Sequence, residues 1–304
     1  MATYNFKKES RLHVVYKGYR YSIDIYPDYS FSQTFDETAV KVKTLHALHD
    51  MFDDARISKA NPANFNFTSP LILEEDSDVL LELLTKWQTN KAEALLNVAD
   101  LYFEANTDIY KLESAVFENV VFQISRDSPL LLNISGTASR LSRYIGELPG
   151  EEVIRSSTTT FSAPTYLNVI LDNTEIQNIN AITLELKSNV EWFQFATIHD
   201  SMNVSNASST MYPGAFVVSG QVLSGTITQY VTDENNTTAN TWSTQSPLYV
   251  EVGDRRYQKP VLLIFDIPSI VYTNRLTPDE IYTQSYDFRM NTNPGPLSSV
   301  IKKK

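Results

Sequence analysis

Two long runs of alternating apolar and polar residues constrain the fold of this chain more than any other feature. From Tyr21 to Ser32 the apolar residues stand at odd positions, and from Ile182 to Trp192 a similar alternation returns. Successive side chains of a strand point to opposite faces, so each run predicts a strand with one apolar and one polar face. Both runs are about twice the usual strand length. Strands of this kind, present once in each half, favour an assembly module over a catalytic pocket.

The order of predicted strands also repeats once along the chain. In each half a short strand precedes the long one, and a strand with Ser and Thr on one face, an apolar strand and a last alternating strand follow it. These partners are 12–16 and 167–171, 64–69 and 223–230, 116–124 and 261–267, and 130–139 and 282–290. A breaker-rich stretch around Pro149 and Gly150 separates the halves. We therefore expect a first β domain over 1–155 and a second over 160–304 with a mobile C-terminal tail.

Helices are expected between residues 77 and 103, in the first half only. Asp76 or Ser77 can cap a first helix, whose apolar stripe runs from Val79 to Trp87 at helical spacing. A second helix is expected from Asn90 to Phe103. A short helix over 44–55 is a further expectation.

Composition excludes several classes of function. The chain has no cysteine, which rules out disulfides and thiolate metal sites, and its 9 glycines form no phosphate-binding loop. We expect no cofactor. The net charge is −11 and the basic cluster is confined to Lys302–Lys304, unlike the basic patch of a conventional nucleic-acid binder. No apolar run is long enough for a transmembrane helix.

Two clusters of polar residues could carry chemistry, but both have simpler explanations. His46 and His49 with Asp50, Asp53 and Asp54 could bind a metal, yet their spacing differs from that of two-histidine zinc motifs, and a polar surface is favoured. The acidic run 74–78 suits the positive end of a helix dipole. His13 and His199 stand alone, and a structural position in the core or on the surface is favoured for each.

The polar faces of the long strands allow two interpretations. They could be the solvated outer face of a sandwich sheet. They could also line a water-filled channel, as one strand face does in large barrels.

Five segments, in their order along the chain, resemble the tail tube (major tail) proteins of long-tailed bacteriophages. They are Asp28–Thr38, Asn64–Pro70, Asn133–Arg140, Ile182–Trp192 and Gly214–Tyr230. The chain is similar to the siphophage variety that fuses two tube domains, so that three chains supply a pseudo-hexameric ring. The resemblance implies a mainly β fold: two tandem β-sandwich tube-type domains with a flanking helix, forming a ring-shaped β-barrel on oligomerisation.

The resemblance further implies a structural role without enzymatic activity. Stacked homotrimeric rings would form the channel for DNA passage during infection, in contact with tape measure, terminator and distal tail proteins. DNA would pass without specific binding, and the protein would not insert into a membrane. It would be made in the host cytoplasm and belong to the virion.

Particular side chains are implied to line that channel, and the loops 33–62 and 197–214 to reach the next ring or a neighbour. We expect a mostly acidic, hydroxyl-rich lining that does not hold phosphates. The implied residues are Ser22, Asp24, Asp28, Ser30, Asn66, Thr68, Thr183, Glu185, Lys187, Asn189, Glu191, Ser224, Thr226 and Thr228.

Two alternatives remain open. The first is a distal tail or tube-terminator protein, which forms one ring and does not polymerise. The second is a carbohydrate-binding or hydrolysing β-sandwich, for which Trp192, Trp242 and Tyr249 are the candidate contacts.

Overall fold

The computed structural model describes residues 10–38, 56–70, 75–85, 98–106, 108–125, 128–154, 164–193, 211–233, 241–255, 261–292 and 297–303. This part of the chain is mainly β, as expected, with nineteen strands and one α-helix. In chain order they are β1 (Arg11–Tyr16), β2 (Tyr19–Ile23), β3 (Ser30–Ser32), β4 (Phe35–Thr38), β5 (Arg56–Ala60), β6 (Ala63–Pro70), α1 (Glu75–Thr85), β7 (Ala99–Glu104), β8 (Ile109–Ser125), β9 (Leu131–Ala138), β10 (Arg140–Tyr144), β11 (Glu151–Glu152), β12 (Tyr166–Leu171), β13 (Thr174–Glu175), β14 (Ile179–Phe193), β15 (Ala215–Tyr230), β16 (Trp242–Gly253), β17 (Val261–Thr277), β18 (Thr283–Met290) and β19 (Ile301–Lys303).

Eight antiparallel strands form a central sheet in the order β3–β6–β9–β8–β14–β15–β18–β17. Two of them, β8 and β17, are 17 residues long and leave this sheet at their N-terminal ends. There β8 pairs with β7 and β10 in a first outer sheet that also holds β1, β2 and β11. Likewise β17 pairs with β16 and β19 in a second outer sheet with β12 and β13. The pairing of β8 with β14, which we call the internal seam, joins the two halves.

The core lies between the central sheet and the two outer sheets. Alternate residues are buried along much of the central sheet, as with Phe65 and Phe67 on β6, and the outer sheets supply the opposing side chains. Phe122 meets Phe265 across this space with ring centroids 5.1 Å apart. Burial of each such side chain stabilises the fold by roughly 1.5–3 kcal/mol.

The pairing order of the first half returns in the second. The hairpins β1–β2 and β12–β13 each turn through two residues with positive φ, Lys17-Gly18 and Asp172-Asn173. Two consecutive positive φ values are typical of the type I′ turn. The strand partners expected from the sequence are confirmed for β1 and β12, β6 and β15, and β9 and β18. Strands β8 and β17 are also equivalent, but the segments expected to match within them are wrong. Residues 116–124 of β8 lie in the central sheet, whereas 261–267 of β17 pair with β16 and β19 in the second outer sheet. The structure shows two further pairs of equivalent strands, β7 with β16 and β10 with β19.

The first long strand expected from the sequence is wrong, whereas the second is confirmed as β14. The expected run from Tyr21 to Ser32 is divided, because β2 ends at Ile23 and β3 begins at Ser30. Pro27 and Asp28 form a turn between them. The chain crosses here from the outer sheet, where β2 pairs with β1, to the central sheet, where β3 pairs with β6.

The first expected helix is confirmed and the second is wrong where it can be compared. Helix α1 covers 75–85 and buries Leu80 and Leu84. Ala99–Glu104 forms strand β7. Tyr102 is buried on the opposite face of β7 from Phe103, where its ring makes an edge contact with Tyr144. The apolar residues that suggested a helix are therefore buried on both faces of a strand. Residues 86–97, and the expected helix over 44–55, lie outside the described residues.

The C-terminal segment packs against the second half, in contrast to the expected mobile tail. Leu297 and Val300 are buried, and β19 pairs with Leu263–Phe265 of β17. Lys302 Nζ lies 2.7 Å from Asp266 Oδ2. Within the part of the chain that the structure describes, no helix is both long and apolar enough to span a membrane.

Candidate functional site: the polar face of the central sheet

The central sheet has one face without an outer sheet over it, and polar side chains occupy this polar face. On β6, for example, Asn64 and Asn66 are exposed while the alternate Phe65 and Phe67 are buried. The alternation follows from the strand period of two, so a register that buries the apolar set presents the polar set together.

Strand register aligns the polar residues in rows that run across both halves. One row passes through Thr68, Asn133, Glu185, Ser224 and Arg289, with the apolar Val121 between Asn133 and Glu185. The next row passes through Gln123, Thr183, Thr226, Asp287 and Thr273. Both rows cross the internal seam, so the two halves present one continuous polar face.

In the first half the polar face is rich in amides. An open groove is lined in part by Asn66, Asn119 and Asn133, with Asp28 and Thr68 beside them. Thr68 Oγ1 donates to Asp28 Oδ2 at 3.3 Å, and the Ser30 amide donates to Asn66 Oδ1 at 3.0 Å. Amides and hydroxyls offer donors and acceptors without net charge.

In the second half the polar face carries charges of both signs. Thr226 Oγ1 donates to Asp287 Oδ1 at 2.8 Å, and Arg275 lies 3.4 Å from Asp287 Oδ2. Lys187 on β14 and Arg289 on β18 are exposed, with β15 between their strands. The expectation of a mostly acidic lining overlooked the cations that β17 and β18 bring to this face.

The structure brings together most, though not all, of the side chains expected to line a channel. Nine lie on central strands of the polar face and Asp28 joins them from the turn before β3. Asn189 and Glu191 are exposed on β14, beyond the part that pairs with β8, and a β-bulge between Asn189 and Val190 separates Glu191 from the rest. The nine are Ser30, Asn66, Thr68, Thr183, Glu185, Lys187, Ser224, Thr226 and Thr228.

Ser22 and Asp24 lie away from this face. Ser22 is on β2 of the first outer sheet, with its Oγ 3.0 Å from Nδ1 of the buried His13, whose Nε2 is 2.9 Å from Glu104 Oε2. Asp24 follows β2, and its carbonyl accepts a hydrogen bond from Ser69. Both were assigned to the face because the sequence suggested one uninterrupted strand through residues 21–32.

Sequence reasoning missed the polar residues of β8, β9 and β18. Asn119, Gln123 and Asn133 complete the first half of the face, and Asp287 and Arg289 complete the second. The alternation of β9 and β18 is visible in the sequence and could have identified them. On β8 the alternation is interrupted by a register shift between Phe117 and Asn119, which hides the signal.

A hydrogen-bonded chain ties the halves together at one end of the face. Trp192 Nε1 donates to Thr137 Oγ1 at 2.7 Å, and the Thr137 hydroxyl donates in turn to Glu118 Oε1. Burial raises the pKa of the Glu118 carboxyl, and the hydrogen bond from Thr137 opposes that rise in pKa. The Trp192 ring also packs on Phe216, with centroids 5.2 Å apart.

The residues considered for carbohydrate binding do not form a common aromatic platform. Trp192 is engaged with Thr137 and Phe216, whereas Trp242 is 71% exposed at the start of β16. Tyr249 donates to Glu251 Oε1 at 2.9 Å, and burial followed by this hydrogen bond raises the pKa of Tyr249 to about 12.

A metal site is not found among the described residues either. In those ranges no group of three His, Asp or Glu side chains could hold an ion. His46, His49 and their neighbouring aspartates, together with His199, lie outside them. The acidic run is consistent with a helix start, because α1 begins at Glu75.

Comparison with known families finds a match over nearly the whole chain. The model of the Bacteriophage Baseplate Tube Protein Family matches residues 2–302. No curated protein matches the chain.

Proposed function

Because the chain belongs to the bacteriophage baseplate tube family and is thus a structural component of a phage tail or baseplate tube, we propose that three copies form a ring around a DNA channel. In this proposal the halves 1–155 and 160–304 act as two tandem tube domains, and the polar face lines the channel. The main support for this proposal is that the polar face continues from one half into the other.

The size of the central sheet supports a channel wide enough to hold water. Each chain contributes eight strands, so three chains contribute about twenty-four, more than the 16–18 with which porin barrels already enclose an aqueous channel. At about 4.8 Å per strand, the wall would measure about 115 Å around. Ring closure would also protect the sheet edges that an open sheet exposes.

The chemistry of the polar face suits passage of DNA without binding. Phosphate binding requires a concentration of cations, whereas on this face Lys187, Arg275 and Arg289 are matched by the three acids Asp28, Glu185 and Asp287. The groove of the first half adds neutral amides and the carboxylate of Asp28. On the described part of this wall phosphates meet acids together with cations, as where Arg275 lies beside Asp287.

The position of the ring within the tail has two candidate answers. The family description names the baseplate, which favours a ring at the distal end of the tube that forms once and does not repeat. The alternative is the subunit of a long tube of stacked identical rings, in contact with tape measure and terminator proteins.

Mass measurement and electron microscopy of the purified protein test this proposal. We expect a species of three times the 34.5 kDa chain mass and ring-shaped particles in negative stain. Single rings at high concentration support the baseplate position, and long tubes support the repeating one. Monomers at high concentration, also with the neighbouring tail proteins added, contradict the ring.

A charge reversal tests the channel separately from the ring. Glu185→Lys places a new cation on the polar face, whereas Glu175→Lys changes an exposed residue of β13 in the outer sheet and serves as the control. We expect both variants to assemble, and only Glu185→Lys to slow DNA ejection from virions. Equal ejection rates for the two variants contradict a channel at this face.

A further inference from the structure

We propose that adjacent copies of this chain join by pairing β3 of one copy with the C-terminal end of β17 of the next, in the register of the internal seam. This inference deepens the proposed ring and rests on it. Its occupant is a second copy of the chain, because the chain already contains one example of the same junction.

The argument starts from the equivalence of the two halves of the central sheet. The first half has the order β3–β6–β9–β8 and the second has β14–β15–β18–β17. In the internal seam, the last strand of the first set pairs with the first strand of the second set. Repetition of this step leads from β17 to the β3 of another copy.

A matching pair of residues in each half aligns the two halves residue by residue. In the first half Phe65 of β6 lies opposite Gly136 of β9, and in the second Gly225 of β15 lies opposite Phe288 of β18. The ring approaches the position of the missing Cβ in both pairs, at 2.8 Å for Gly136 and 2.6 Å for Gly225. The same contact therefore occurs in both halves with its two partners exchanged.

Both strands of the proposed junction have an edge that the described residues leave open. Strand β3 pairs with β6, and no other described strand pairs with it. On β17, pairing with β16 ends at Thr273, and the Asn274 amide still donates to Thr241, so that Arg275–Thr277 pair with β18 on one side alone within the described ranges. An unpaired strand edge is a template for another strand.

The register follows from the internal seam by counting. Inside the chain, Thr183, Leu184 and Glu185 lie opposite Gln123, Phe122 and Val121. The Phe–Gly equivalence aligns these six residues with Ser30, Phe31 and Ser32 on β3 and with Thr277, Leu276 and Arg275 on β17. Ser30 is therefore placed opposite Thr277, Phe31 opposite Leu276 and Ser32 opposite Arg275.

The side chains at these positions fit the predicted junction. Phe31 and Leu276 fall on the core side and are half-buried in the single chain, whereas their counterparts Leu184 and Phe122 are fully buried at the internal seam. Pairing would complete the burial of both. Ser32 and Arg275 fall on the polar side, so the polar face would continue across the junction.

Large exposed apolar side chains stand beside both edges. Trp242, 71% exposed, lies opposite Thr273 at the start of β16, next to the open end of β17. Phe35, 43% exposed, lies three residues after β3. Large exposed apolar surface beside an open strand edge marks an interaction site more than a solvated one.

Disulfide mapping tests the register, since the chain has no cysteine of its own. Ser32→Cys with Arg275→Cys is the predicted intermolecular pair. Glu185→Cys with Val121→Cys is the intramolecular positive control at the internal seam. Ser32→Cys with Ser285→Cys is the matched negative control, because Ser285 pairs with Arg275 and lies one strand further from the junction.

After mild oxidation, we expect the Ser32/Arg275 pair to give covalent dimers and trimers on a non-reducing gel, about tenfold more than the Ser32/Ser285 pair, because only close Cα atoms can be bridged. Mixing the two single variants should give the dimer, and neither alone should. Rings in negative stain without this cross-link, while the Glu185/Val121 control closes, would overturn the junction and leave the ring standing. Absence of rings and of cross-links together would contradict both.

Discussion

Both halves of the chain contain the same contact of an aromatic ring with a glycine, but the strands that supply the ring and the glycine are exchanged. In the first half a ring on β6 covers a glycine on β9, and in the second a ring on β18 covers a glycine on β15. What the sheet requires is one large and one absent side chain at neighbouring positions, and either strand can supply them. Sequence identity between halves can therefore vanish while strand order and register persist.

The halves differ most where their strands end. Strands β3 and β6 have 3 and 8 residues, whereas their counterparts β14 and β15 have 15 and 16. The first half instead carries the hairpin β4–β5 and the helix α1. The shared part is the section of sheet that forms the polar face, and the additions lie at the connections, where the proposed ring would meet its neighbours.

The largest expected effect comes from placing a side chain on either of the two covered glycines. Gly136→Ala would drive Cβ into the carbonyl of Val116, and Gly225→Ala into that of Thr183. Since backbone cannot move aside as a flexible side chain can, we expect each variant to lose about 2–4 kcal/mol of stability. Thermal unfolding measures this loss.

Gly220→Ala is the matched control, because it lies on the same strand as Gly225 and its nearest contact would be Asn189 Nδ2 at 4.0 Å. A loss as large as that of Gly225→Ala would show that strand glycines matter here for another reason. A large loss at only one of the two covered glycines would break the equivalence of the halves.

The open edge of β17 should matter for assembly and little for the fold of the single chain. Leu276→Asp places a charge where the second copy would pack, and we expect loss of rings with a melting temperature close to that of the parent. Val271→Asp changes an exposed residue of the same strand and should leave rings intact. Retention of rings by Leu276→Asp would argue that β17 is not the joining edge.

The two hairpin turns should show a smaller and local effect. Gly18 has φ of +85° and no heavy atom within 4 Å of the position that a Cβ would take, so Gly18→Ala tests conformation alone. An L residue in this region costs about 1–2 kcal/mol, and we expect a loss of that order in chemical denaturation. Gly214→Ala, equally open but without positive φ, should be nearly neutral.

The smallest effect is expected at the contact between Trp192, Thr137 and Glu118, which ties one half to the other. The pKa of Glu118 is raised above its ordinary value of 4.5 by burial. A folded-state pKa above the unfolded one stabilises the fold fully below 4.5, and this stabilisation is lost as the pH rises through the folded pKa.

Glu118→Gln keeps an acceptor for Thr137 and removes the free-energy cost of a buried, ionised carboxylate at neutral pH. We expect the variant to melt at a higher temperature than the parent at neutral pH, with the difference shrinking as the pH falls towards 4.5. Melting curves from pH 4 to 8 measure this dependence. A difference that is constant over that range would exclude titration of Glu118 as its source.

Much of the sheet could be predicted from sequence because strand alternation is local. The strand bounds of β12 and the existence of β14, β15 and β18 follow from period-two patterns of Val, Ile and Leu with Ser and Thr. Strand β7 could not be predicted, because Tyr102 is buried on the second face of its strand, a fact that depends on Tyr144 more than forty positions away. The break at Pro27 likewise depends on which strand each side pairs with.

The polar face could be predicted only in part for the same reason. Thr183, Glu185 and Thr226 were identified because their own strands alternate clearly. Asn119 was missed because a register shift interrupts β8, and Ser22 was included because its strand pairs with β1 in another sheet.

By itself the sequence determined the mainly β fold, the twofold order of strands and the existence of polar strand faces, since these follow from composition and from the period of each segment. Tertiary structure decided which of those faces combine, because strand register is a relation between distant segments. It also joined the halves through β8 and β14 and placed cations of β17 and β18 on the same face as Glu185 of β14. The balance of charge on the polar face is thus a property of the pairing and not of any one strand.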